Sequence, residues 1–225
     1  MKTPCLFLLA MAALALDVAP ASAQNTNAFE LRDGDRVALL GDTFMEREQT
    51  HGFIEYLLTT HYPDRHITFR NLGWSADTPL GVSRAGFDTP EKGFDRLKDQ
   101  LALVRPTVAF LSYGMAASFD GDAALPRFKA GMEQLMNTVT ASVGTGEVRF
   151  VILGPIPHEK LPPPLPDPAP HAASLKNYTR VLREIATARG ARFIDLLERL
   201  GQPQLDNPGP PFTDNGIHQI GRAHV

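Results

Sequence analysis

The chain has 225 residues, 43% hydrophobic and 21% charged, a composition that supports one globular domain with a sizeable core. Its formal net charge of -3 gives no excess of Lys and Arg to face phosphates, which excludes nucleic acid as a partner.

The amino terminus, MKTPCLFLLAMAALALDVAPASAQ, sets Lys2 ahead of an apolar run from Leu6 to Leu16, and Ala21-Ser22-Ala23 ahead of Gln24. This is the layout of a secretory signal with a small-residue cleavage site, so residues 1–23 are expected to be removed and the mature protein to be secreted or periplasmic. The run is shorter than the ~20 residues that cross a bilayer, and Asp17 interrupts it, so stable membrane insertion after cleavage is not expected. The one cysteine, Cys5, leaves with the signal. Thiol catalysis, disulfides and cysteine-based metal sites leave with it.

After a lead-in at 24–35, short apolar segments alternate with amphipathic ones. Strands are predicted at Arg36 to Gly41, Ile67 to Leu72, Thr107 to Tyr113, Val148 to Leu153 and Arg192 to Leu196, all rich in the residues of strands buried on both faces. Between the first two, EREQTHGFIEYLLTTHY has helical spacing, with Phe53, Ile54, Leu57 and Leu58 on one face. The stretch from Pro155 to His171 is too proline-rich for a helix or sheet interior and reads as a stiff loop over the strand ends, with a helix following from about Ala172 to Arg189. Strand-helix alternation of this kind predicts a doubly wound parallel sheet in an α/β domain.

Such sheets bind ligands beyond the carboxyl ends of their strands. Those ends read GDTFMER from 41, NLGWSADT from 71, YGMAASF from 113 and GPIPHEK from 154, and FTDNGIHQ follows from 212. Thr43 reads either as a nucleophile or as the N-cap of the helix that follows. Ser75 and Asp77 bring a hydroxyl and a carboxylate to the second loop, or else shape its turn. Arg84 either meets an anionic group of a substrate or caps the core. His51, His61, His66, His158 and His171 have no ligand spacing, so no metal is expected, and the absence of a glycine-rich phosphate loop leaves no cofactor to propose.

Taken together, these blocks resemble the SGNH or GDSL-like hydrolase superfamily over nearly the whole mature chain, from Arg36 to His218. More narrowly, LGDTFMERE, RNLGWSADT, RAGFD and DNGIH resemble a branch associated with planctomycetes. The resemblance implies a flavodoxin-like three-layer α/β/α sandwich on a five-stranded parallel sheet, and an ester hydrolase that needs no cofactor. It places Thr43 where the family carries its serine nucleophile. It makes the Gly73 N–H, with that of Thr43, the oxyanion donor, and His218 the general base. Three positions depart from the pattern. Thr43 adds a methyl group to the nucleophile, Ala116 stands where the family has an asparagine donor, and Asn215 stands three residues before His218 where the family has aspartate, with Asp214 one further back. Ser118 is a possible stand-in for the missing donor.

The closing IGRAHV is also the translation of a widely used short-read sequencing adapter, so residues 219–225 are expected to be a non-native tail on a domain spanning 36–218. The expected function is hydrolysis of a small or carbohydrate ester. The alternative is a scaffold that binds a carbohydrate ligand without turning it over.

Overall fold

The computed structural model of the protein describes residues 29–144, 146–201 and 210–220. The expected signal at 1–23 and residues 221–225 of the expected tail lie outside the described residues. Five strands, β1 (Arg36–Gly41), β2 (Thr68–Asn71), β3 (Val108–Ser112), β4 (Arg149–Leu153) and β5 (Arg192–Ile194), form one all-parallel sheet in the order β2-β1-β3-β4-β5. Chain order reverses between β1 and β3, and the strand ends beside that switch point carry the GDT and YGM blocks.

Period-two alternation along the strands builds two cores. Ala38, Leu40, Leu111 and Ile152 face α3 (Pro90–Val104), α5 (Leu125–Ser142) and α6 (Ala169–Ala188), which contribute Leu97, Leu135 and Leu182. Val37, Leu39, Phe110 and Val151 face the other way, onto Phe44 and Met45 of α1 (Thr43–His51), Ile54 and Leu58 of α2 (Phe53–His61), and Leu197 of α7 (Leu196–Gly201).

The single helix expected after β1 is two. Gly52, at φ +66°, closes α1 by donating its N–H to Glu48 O and restarts the chain as α2. That restart turns the apolar stripe, so Ile54 and Leu58 pack on the sheet while Leu57 is exposed. The helix after the proline-rich loop starts at Ala169, earlier than expected, because Pro170 occupies a first-turn position where a missing N–H costs nothing. No helix among the described residues is long and apolar enough to cross a membrane.

Candidate active site

The ends of β1, β3 and β4 and the loop after β2 converge on a cavity of about 210 Å3. Asp42 and Thr43 enter it from β1, Ala76 from the loop after β2, Ala116 and Phe119 from beyond β3, Pro155 and Ile156 from β4, and His218 from the last described segment. Threonine hydroxyl and imidazole, 175 positions apart in sequence, therefore share one cavity.

Thr43 is not the helix cap; Asp42 is. The Asp42 carboxylate is buried, accepting the Phe44 N–H at 3.4 Å and, through its other oxygen, the Ala116 N–H at 3.2 Å. It thus starts α1 and ties the β3 loop to it. Thr43 is then the first residue of α1, its hydroxyl oxygen accepting the Ala76 N–H at 2.9 Å.

Gly73, the expected oxyanion donor, is not among the residues that line the cavity. Its N–H is donated to Asn71 Oδ1 at 2.8 Å, and a Cβ placed on it would sit 2.4 Å from the Glu46 nitrogen. Glycine is required there because the β2 loop runs hard against α1, not because a substrate approaches. The N–H that reaches the cavity belongs to Ala76, held in the left-handed region at φ +52°. A non-glycine residue adopts that conformation only when its surroundings impose it. Here they do: the neighbouring Asp77 is fully buried and bonded at 2.6 Å to Nε of Arg84, which also donates to Leu72 O and, at 3.1 Å, to Gln100 Oε1. Arg84 therefore braces the loop from beneath and meets no solvent, while Ser75 is exposed.

Ala116 lines the cavity without a side-chain donor, and its N–H is spent on Asp42. Ser118 does not replace it. The Ser118 hydroxyl is buried, donating to Met115 O at 2.8 Å with His171 Nε2 at 2.7 Å.

His218 sits on a segment fastened at several points. The buried Gln219 donates to Phe44 O at 2.8 Å, and Thr213 and Gln219 form an antiparallel bridge. Glu159, in the proline-rich loop, accepts from Phe212 N and the Thr213 hydroxyl, and donates its own N–H to Gly216 O. Sequence reasoning passed over both Glu159 and Ala76. Only burial identifies the first, and no glycine marks the second.

The ring of His218 is oriented otherwise than the resemblance implies. Asn215 Oδ1 accepts the backbone N–H groups of Ile217 and His218, at 3.1 and 2.9 Å, which fixes its amide so that Nδ2 donates to His218 Nδ1 at 3.1 Å. Arg47 Nη2 lies 3.3 Å from the same ring nitrogen and 3.2 Å from Asp214 Oδ2. Nδ1 is thus an acceptor between two donors, and Asp214 reaches the ring only through Arg47. In this arrangement neutral His218 carries its proton on Nε2. The described residues hold no cluster of three or more metal-ligating side chains.

The sequence profile of the GDSL-like lipase/acylhydrolase family matches residues 37–222. The chain belongs to that family. Its fold matches Axe2, an acetylxylan esterase from Geobacillus stearothermophilus, at a TM-score of 0.66 and 15% identity, over 87% of this chain and 91% of that one. It also matches LAE5, an alpha/beta hydrolase enzyme from the metagenome of Lake Arreo, Spain, at 0.65 and 13%, over 86% and 91%. A gut microbial diltiazem-metabolizing enzyme matches at 0.61 and 20% over 87% of this chain, which spans only 45% of that longer protein. No curated protein sequence matches significantly.

In this GDSL-like chain burial pushes the Asp42 carboxyl up to about 6, against the pull of the Ala116 and Phe44 N–H groups. A carboxyl raised on folding contributes stability that is full below its unfolded value near 4 and is lost as pH rises through about 6. Relative to Asp42→Asn, the wild type should therefore lose on the order of 2–3 kcal/mol across that window, read by urea unfolding at a series of pH values. A difference between the two proteins that stays constant with pH would refute the assignment.

Proposed function

We propose that this family member is an exported hydrolase that removes short acyl groups from esters, acylated carbohydrate being the substrate class, with Thr43 as nucleophile. The observation that carries the reading is the cavity where the Thr43 hydroxyl, bonded to the Ala76 N–H, and the His218 ring meet. The sequence layout at 1–23 supports export, and the acetylxylan esterase activity named for Axe2 supports the substrate class. The four blocks quoted above favour the planctomycete-type branch.

In the reaction Thr43 Oγ1 attacks the carbonyl carbon and the oxygen gains charge. The N–H groups of Thr43, at the positive end of α1, and of Ala76 hold that charge. His218 Nε2 takes the hydroxyl proton and passes it to the departing alcohol, and water then releases the acyl group from Thr43. A base at Nε2 needs its other proton on Nδ1. Asp214 Oδ2 is the carboxylate that can accept that proton: its 3.2 Å and the ring's 3.3 Å to one guanidinium nitrogen bound their separation at 6.5 Å. Catalysis in this scheme has Asp214 replace Arg47 at the ring and the Asn215 Nδ2 donor withdraw from Nδ1.

The second reading is a ligand-binding protein without turnover, favoured by the two donors at Nδ1 and the missing donor at Ala116. Nitrophenyl acetate, butyrate and octanoate, with an acetylated methyl xyloside, distinguish the two. A cavity of about 210 Å3 has room for an acetyl or butyryl group. Turnover of the acetate and butyrate esters would establish the hydrolase, and comparison with octanoate gives its acyl-length preference. No turnover together with saturable xyloside binding would establish the second reading instead.

A further inference from the structure

The cavity wall includes an aromatic ring that the chemistry above does not use. Phe119, just past α4 (Met115–Ser118), lines the cavity and is 55% exposed. One face of its ring is taken: it stacks on His171 with centroids 4.0 Å apart and planes 21° from parallel.

The backing ring is itself fixed at both nitrogens. Ser118 has one hydroxyl proton, given to Met115 O, so its oxygen accepts from His171 Nε2 at 2.7 Å. His171 Nδ1 is then left as an acceptor, 3.0 Å from His158 Nδ1, which supplies the proton of that pair. Burial keeps both imidazoles below the usual histidine range, which favours the neutral pair. His158 lies before the run of prolines and His171 in the first turn of α6, so their contact joins the two sides of the proline-rich stretch.

We propose that Phe119 is a stacking platform for a ring in the alcohol part of the ester, and so a determinant of specificity. The proposal rests on the hydrolase reading for which part of the ester lies where. Phe119 and Thr43 line the same cavity of about 210 Å3, so an ester seated at Thr43 lies within reach of this ring. With the acyl group at the Thr43 end, the alcohol part is the one placed against the exposed part of the Phe119 ring. Pyranoses and aryl rings share what that face recognises: a flat, weakly polar surface of C–H groups or π density. Holding the aromatic in place before binding reduces the ordering cost of the complex. His171, which touches Phe119 and not the substrate, is a positioning residue.

The test compares three acetates with the same acyl group: ethyl acetate, phenyl acetate and an acetylated methyl xyloside. Phe119→Ala should raise KM at least fivefold more for a ring-bearing ester than for ethyl acetate, with kcat moving less than KM. Phe119→Trp should retain the discrimination, and His171→Ala should lose part of it. A larger loss for the xyloside identifies a sugar ring, and a larger loss for phenyl acetate an aryl ring. Equal effects on all three esters would overturn the proposal. If the wild-type protein hydrolyses none of them, the hydrolase reading fails, and saturation-transfer NMR with methyl xyloside and benzyl alcohol decides the platform. Signals lost in Phe119→Ala support it, and signals unchanged or absent in the wild type refute it.

Discussion

Thr43→Ala should lower kcat/KM for a short acyl ester by at least ~10³-fold, while Thr43→Ser should match or exceed the wild type. Removing a nucleophile eliminates the covalent route and leaves only what binding and oxyanion donors achieve. Serine keeps the oxygen at the position where it meets the Ala76 N–H and discards the methyl group that crowds the carbonyl. His218→Ala should fall by a comparable factor, and the double variant should fall little further, because nucleophile and base act as one unit. The neighbours of His218 separate two placements of its proton. If Asp214 takes over at Nδ1, Asp214→Asn should cost ~10²-fold or more, whereas Arg47→Met should cost less, since it removes a competitor for the ring. Steady-state kinetics on nitrophenyl acetate measure all of these. Retained turnover in Thr43→Ala would remove Thr43 from the mechanism and leave the fold untouched.

Arg84→Met should destabilise the protein by about 3–5 kcal/mol, the usual cost of leaving one partner of a buried ion pair alone. The side chains of Arg84 and Asp77 are 3% and 0% exposed, and burial pushes the Asp77 carboxyl upward while Arg84 pulls it down. Without the guanidinium, that carboxylate has no solvent to turn to. Asp77→Asn in the same chain should recover part of the loss, because an amide tolerates burial better than an unpaired charge. Activity should fall as well, since the loop that Arg84 braces holds Ala76 at φ +52°. Urea unfolding at neutral pH gives the energies; a change below about 1 kcal/mol would show that the pair is not what anchors this loop.

All five strands were legible in the sequence, because short segments carrying Val, Ile, Leu and Phe between turn signals have few other uses. The proline-rich stretch from Pro155 to His171 was expected to be irregular, and it is so up to α6, which starts at Ala169. The break at Gly52 was missed because helical spacing on its two sides is nearly continuous, and only the positive φ reveals the restart. The misplaced oxyanion donor has a similar origin. Glycine signals close approach but not by what, and at Gly73 the approaching group is α1. An alanine forced to positive φ gives no signal, so Ala76 went unseen.

The sequence by itself determined the five strands and the parallel α/β sheet they form. These follow from local periodicity and the alternation of elements, whereas the meeting of Thr43 and His218 was implied only by the family resemblance and depends on segments far apart in the chain. Tertiary structure alone decided how the polar groups pair. Asp42 rather than Thr43 caps α1, Ser118 turns toward His171, and Asn215 spends its oxygen on two backbone N–H groups, leaving its amide to face the imidazole. A polar side chain bonds with whatever the fold brings within about 3 Å, and those neighbours come from residues distant in the chain.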